Sequence, residues 1–289
     1  MDAYFDMFSG ISGNMVLGAL IDLGLDLDEL NKELDKLGLS DEFNIKLKKV
    51  IKEGISGTHV EVELLEVHGH HHEHKKQDEH IHKDDCSAQK VNTYSKNKNL
   101  EINERKHRHS HGRDLNNINR IIDNSSLSEN IKEKSKSIFL NLAKAEAKIH
   151  ATTVDKIHFH EVGAVDAIVD IVGSVIGLEL LEVKNILASR IHTGTGFVNC
   201  QHGKMPIPAP ATMELLTDVP IYSTGIKSEL VTPTGAAIIT TLASDFLSRP
   251  EMEIVASGYG AGSRDLEIPN LLRINLGNIL DQNIIVKKN

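Results

Sequence analysis

The 289-residue sequence predicts an α+β fold. Strand-like and helix-like stretches are mixed without a regular βα alternation, one stretch reads as a hairpin, and a polar, histidine-dense insert interrupts an otherwise ordered pattern. In chain order, a short strand over 3–8 leads through a small-residue turn into a helix over 13–23, and a second helix follows over 27–37. Residues 43–51 and 59–67 alternate as hairpin strands joined by KEGISG, whose glycines supply turn geometry. Helices are expected over 115–122 and 127–150, where Ile131, Ile138, Leu142, Ala145 and Ile149 recur at roughly helical spacing. A further helix runs from about 163 to 181. A strand over 186–191, a helix over 209–216, a strand over 221–225 and a helix over 234–246 come next. Two final strands, 253–257 and 271–276, flank a glycine-rich turn, GYGAGSRD. The expected organisation is an N-terminal α+β part (1–66), a disordered insert (67–113) and a main α+β part (114–289), in the same domain as the first part or in a second one.

Composition limits the function. Two cysteines, Cys86 and Cys200, provide no disulfide framework and no CxxC pair, which fits a reducing cytoplasm. The opening MDAYFDMFSG lacks a basic leader pattern, and the most apolar window, 167–181, is short and broken by Asp170 and Glu179, so no membrane span is expected. A net charge of −9 without a basic, aromatic-interleaved stripe argues against nucleic acid.

The densest chemistry lies in HFHEVGAVDAIVDIVG, residues 158–173, where two histidines and three carboxylates fall within an apolar stretch. Extended backbone would place His158 and His160 on one face. A helix beginning near Gly163 would place Asp166 and Asp170 on one face a turn apart, with Glu161 at the junction. Carboxylates among Ala167, Ile168, Val169 and Ile171 are costly to bury unless a cation or donors compensate, which points to a metal or a metal-bound phosphate. The alternative is that Glu161 and Asp166 only complement a helix N-terminus.

Two turns are candidate phosphate cradles. In FSGISGNM, Ser9, Gly10, Ser12 and Gly13 would let backbone N–H groups approach an anion. In TPTGAA, the Thr232 and Thr234 hydroxyls and Gly235 could do the same. Neither spacing matches a Walker or dinucleotide loop, so each also reads as a plain capped turn, with Ser12 or Asn14 capping the first helix and Thr232 or Thr234 the second. His192, His202, Lys204, Lys227 and Glu229 lie near these loops in sequence. The insert holds 10 of the 16 histidines, including His70, His71, His72 and His74 of HGHHHEH. Neutral imidazole suits nickel, copper and zinc, so the insert reads as a metal store, or as a solvated loop that binds metal incidentally.

Taken in order, YFDMFSGISGNM, HFHEVGAVDAIVDIVG, PIPAPATMELL, ELVTPTGAA and GYGAGSRDLEIPNLLR resemble the LarC-type nickel insertion proteins over nearly the whole chain. The resemblance implies a CTP-dependent cyclometallase of the lyase class. Nickel enters a pyridinium mononucleotide bearing two thiocarboxylates, forming two Ni–S bonds and one Ni–C bond, while CTP with Mg or Mn is cleaved to CMP and pyrophosphate. The product is the nickel-pincer cofactor of lactate racemase-type enzymes. On that reading, His158, His160 and Glu161 serve as nickel ligands and include the base that removes the ring proton. Asp166 and Asp170 hold a divalent cation, and the two turns bind phosphate. Expected partners are the pyridinium mononucleotide, other proteins of the cofactor pathway and further copies of the chain. Two departures stand out: Asn14 replaces an acid usual in the first turn, and family members commonly continue into a C-terminal domain, separate or joined by frameshifting, whereas this sequence ends at IIVKKN. The competing expectation is a nickel-binding delivery subunit without turnover of its own. A zinc hydrolase is disfavoured, since the HxHE cluster lacks HExxH spacing.

Overall fold

The structure, a computed structural model, describes residues 1–65, 113–157, 159, 164–200 and 203–280. His70, His71, His72 and His74 of the insert, and His158, His160 and Glu161, lie outside the described residues. The elements are β1 (Asp2–Asp6), α1 (Gly13–Asp22), α2 (Leu27–Asp35), β2 (Phe43–Lys52), β3 (Ile55–Leu64), α3 (Leu115–Asn124), α4 (Glu129–Ile149) and α5 (Val165–Leu180). They continue with β4 (Asn185–Ala188), β5 (Ile191–His192), β6 (Phe197–Cys200), β7 (Gly203–Pro206), α6 (Pro210–Leu215), β8 (Ile221–Tyr222), α7 (Pro233–Leu242), β9 (Asp245–Phe246), β10 (Met252–Ala261) and β11 (Leu271–Ile279). The α+β class holds.

Seven strands form one mixed sheet in the order β2-β3-β10-β11-β1-β4-β9. β1, β4 and β9 run parallel, β11 is antiparallel to both β1 and β10, and β10 meets β3 through the pair Gly260 and Thr58. Strands from both ends of the described chain therefore share one sheet. Alternation along β1 sends Ala3 and Phe5 into the main core beneath the helices, and Tyr4 to the opposite face with Leu187 and Ile279. α1 lies directly on the sheet, packed on β3 and β10 and backed by α5. Both helices are buried nearly all round, as their near-continuous apolar sequences require. Among the described residues, no helix is long and apolar enough to cross a membrane.

Several expectations change in physically readable ways. The hairpin strands are longer and the loop shorter than KEGISG suggested. Glu53 (φ 48°) and Gly54 (φ 82°) make a two-residue turn with both central residues left-handed, which matches strand twist. Gly258 and Gly260 of GYGAG lie within β10 rather than in a turn. A Cβ on Gly258 would fall 2.3 Å from the Ala19 carbonyl oxygen and one on Gly260 1.7 Å from that of Met15, so these glycines let the α1 backbone settle onto the strand. The expected strand 186–191 divides into β4 and β5. Residues 203–206 pair with β6 as a hairpin.

Candidate functional site

α5 starts at Val165, so Asp166 stands in its first turn and Asp170 one turn on, as the i, i+4 spacing requires. Asp166 is exposed, and its Oδ1 accepts the Ala167 N–H at 2.8 Å. Asp170 points inward against the first residue of α1. A Cβ on Gly13 would fall 2.5 Å from Asp170 Oδ2, so only glycine leaves room for the carboxylate. Asp170 Oδ1 is sequestered from solvent and has no hydrogen-bond partner among the described residues. Burial pushes the Asp170 carboxyl up to about 8; repulsion from Asp166 adds to the rise and the Asn14 backbone N–H opposes it. A buried acid with an unsatisfied oxygen, facing the amide end of a helix and beside a second acid, is chemically suited to a cation. Among the described residues no group of three His, Cys, Asp or Glu side chains gathers, so Asp166 and Asp170 contribute two carboxylates and further ligands must come from elsewhere.

The turn after β1 and the start of α7 interlock. Ile11 N–H donates to the Leu230 carbonyl at 2.9 Å and Thr232 N–H to the Ile11 carbonyl at 3.1 Å, so Ile11 and Val231 form a parallel bridge. Gly10 (φ 82°) and Gly235 are needed for that approach. Their added Cβ atoms would fall 2.0 Å from the Leu230 oxygen and 2.4 Å from the Ile11 oxygen. This revises the phosphate reading of the turns. The Gly10 N–H is spent on Met7 at 3.1 Å, the Gly235 N–H on Thr232 Oγ1 at 3.1 Å, and Ser9 is fully buried. Thr232 caps α7 with its hydroxyl, whereas Ser12 takes the N-cap position of α1 without a side-chain cap bond. Ser12 Oγ instead donates to Asn14 Oδ1 at 2.6 Å, and Asn14 Nδ2 reaches the Val60 carbonyl at 3.4 Å. The Asn14 amide is thus committed to holding the turn to β3. Of the predicted anion-binding set, Gly13 lies directly against Asp170, while the Ser12 hydroxyl is committed to Asn14.

His192 is structural. Its Nδ1 donates to the Phe8 carbonyl at 2.7 Å, which leaves Nε2 to accept the Thr224 N–H at 3.2 Å, and its ring stacks on Tyr222 with centroids 4.6 Å apart. Glu229 pairs with Arg264 and Lys204 lies over Phe197, while His202 is outside the described residues. What sequence reasoning missed is the contact of Asp170 with Gly13. No local signal marks a glycine whose constraint comes from a residue so distant in the chain.

Phe159 anchors the segment that leads into α5. It is 2% exposed and tilts against Phe139 with centroids 6.4 Å apart. Phe159→Ala is expected to cost about 3–4 kcal/mol, read by urea denaturation, and Phe159→Leu much less. A neutral alanine variant would show that Phe159 does not hold this segment to the core.

The nickel insertion protein family matches residues 3–288. The chain is 46% identical over 280 residues to the pyridinium-3,5-bisthiocarboxylic acid mononucleotide nickel insertion protein of Desulfitobacterium hafniense, covering 97% of this chain and 59% of that one. It is 47% identical over 274 residues to the protein of the same name from Clostridium acetobutylicum, covering 95% and 63%. The corresponding Acetivibrio thermocellus protein is 42% identical over 277 residues, covering 95% and 60%. The chain thus spans about 60% of the length of these relatives. No solved structure matches. By the extent of the family match and the identity of these relatives, the chain belongs to the nickel insertion protein family.

Proposed function

We propose that this chain acts in the insertion of nickel into pyridinium-3,5-bisthiocarboxylic acid mononucleotide, the step that completes the nickel-pincer nucleotide cofactor. The observation that supports it most is Asp170, a buried acid with an unpartnered oxygen at the start of α1, in the same sequence segment as His158, His160 and Glu161. Nickel is cargo here. Imidazoles of His158 and His160 would hold it firmly enough to collect it and weakly enough to surrender it to thiocarboxylate sulfur. Formation of the Ni–C bond breaks a ring C–H bond, and the proton passes to Glu161 or one of the histidines. Asp166 and Asp170 fit a magnesium or manganese ion accompanying CTP, because two carboxylates, one of them desolvated, favour a hard cation. Such an ion would neutralise nucleotide phosphates and fix their position while CTP is cleaved to CMP and pyrophosphate. A lyase that works in the cytoplasm with other proteins of the cofactor pathway fits this role, and the histidines of the insert would raise the local supply of nickel.

A second reading has its own support. The chain spans about 60% of its relatives' length, which favours a nickel-delivery half that turns over only with a C-terminal nucleotide-binding part. One assay separates the two. The chain is incubated with nickel, CTP, manganese and the thiocarboxylated mononucleotide, with and without the C-terminal portion of a relative, and pincer product is read by mass spectrometry. Product from the chain alone supports catalysis, and product only with the added portion supports delivery. Alanine at His158, His160, Asp166 and Asp170 is expected to reduce product at least about a hundredfold with the fold intact. Four fully active variants would reject the site.

A further inference from the structure

The carboxyl ends of the three parallel strands β1, β4 and β9 open onto a cavity of about 470 Å³ on the sheet face away from α1 and α5. Tyr4, Asp6, Arg190, Tyr222, Ser248 and Arg249 line it. In parallel sheets this end is where ligands commonly sit, because the loops leaving the strands diverge there. Its charge runs against the rest of the molecule. The chain carries −9 overall, yet three guanidinium groups, of Arg190, Arg249 and Arg273, accompany a single carboxylate, Asp6, here. Asp6 Oδ2 accepts from Arg249 Nη2 at 2.8 Å and from both Nε (3.2 Å) and Nη2 of Arg273. Arg190 has no carboxylate partner among the described ion pairs and lies 4.6 Å from the centre of the Tyr222 ring. The cluster therefore has an excess of two positive charges, with Arg190 and Arg249 at the cavity wall.

The scaffold is fixed from behind. The Tyr222 ring packs against both the Arg190 guanidinium and the stacked His192 ring, and His192 is tied to the Phe8 carbonyl. The Ser189 hydroxyl is consumed, accepting the Met7 N–H at 2.9 Å and donating to the Arg190 carbonyl at 2.8 Å. Donors available to a ligand include the two guanidinium groups and the exposed Ser248 hydroxyl.

We infer that this cavity binds a phosphomonoester, with its phosphate between Arg190 and Arg249. A phosphomonoester at neutral pH carries close to two negative charges, matching the excess, whereas a monocarboxylate would leave one guanidinium unanswered. The volume exceeds what a bare phosphate fills and lies in the range of small-ligand sites, and Pro220, Phe246 and Leu247 offer apolar walls to the ester's organic part. The geometry suits a nucleoside monophosphate. The proposal goes beyond the nickel reading and does not depend on Asp170.

Isothermal titration of the full chain with nicotinate mononucleotide, CMP, nicotinate riboside and inorganic phosphate tests it. Binding of one or both monophosphates is expected, with the riboside failing and inorganic phosphate weaker. The tighter of the two monophosphates identifies whether a pyridinium or an ordinary nucleotide is the source. Arg190→Gln and Arg249→Gln are each expected to weaken binding about tenfold or more, with Arg249→Lys recovering part of it, while melting temperatures stay near that of the unmodified chain. Amide chemical shifts should move at Arg190, Tyr222 and Ser248. No monophosphate binding at millimolar concentration, equal affinity of both glutamine variants and the unmodified chain, or shifts confined to Ser12, Gly13 and Thr234 would each overturn the proposal.

Discussion

Gly10→Ala is expected to cost about 3 kcal/mol or more of stability, read from the urea midpoint, because two penalties fall on one atom. The backbone at φ 82° is in the left-handed region, worth roughly 1–2 kcal/mol for an L side chain. The new Cβ would also sit 2.0 Å from the Leu230 carbonyl oxygen, and that oxygen cannot retreat without breaking its bond from Ile11 N–H. Gly24→Ala isolates the first penalty, since φ there is 105° and nothing lies within 4 Å of its Cβ position. The loss at Gly24 should therefore be about 1–2 kcal/mol. Equal losses at the two positions would contradict the interlock between the β1–α1 turn and α7.

Asp170→Asn is expected to move stability the other way, raising it by about 3 kcal/mol at pH 8 in chelator-treated protein, because a buried charge becomes a neutral amide. The sign follows from linkage. The carboxyl titrates near 3.8 in the unfolded chain and near 8 in the folded one, so between those values the folded state holds a proton that the unfolded state has released. Stability conferred by the protonated acid is complete below about pH 4 and is lost as pH rises toward 8. The stability difference between Asp170→Asn and the unmodified chain should thus grow from near zero at pH 4 to its full value at pH 8. A difference that stays flat across this range would show that Asp170 is not desolvated. A gain in stability at the expense of a cation site is the trade expected where a fold keeps a strained acid for function.

The helices were legible because burial writes itself into their sequences. The apolar run of α5 and the spacing of Ile131, Ile138 and Leu142 in α4 fix both type and extent to within a few residues. Asp166 and Asp170 could be placed on one helical face from spacing alone. The glycines were harder to read, because a glycine that turns the chain and a glycine that admits a neighbouring backbone look the same in sequence. The sequence GYGAGSRD suggests a turn at Gly258 and Gly260, yet both are strand residues packed under α1. β9, two residues long, carries no periodicity and is held as a strand only by its pairing with Leu187 and Ala188. Asn14 shows the same limit: its amide is explained by Ser12 and Val60, a link that only the folded chain makes. The cluster of Asp6 with Arg249 and Arg273 joins residues from opposite ends of the described chain, so no local motif announces it.

Manganese binding followed by electron paramagnetic resonance tests the central claim directly, because this hard cation prefers the oxygens of Asp166 and Asp170 over the imidazoles of the insert. The account predicts that the full chain at pH 8 removes free-ion signal with about one tight site, and that Asp170→Asn abolishes this site while melting at a higher temperature. An unchanged manganese isotherm in Asp170→Asn would contradict it.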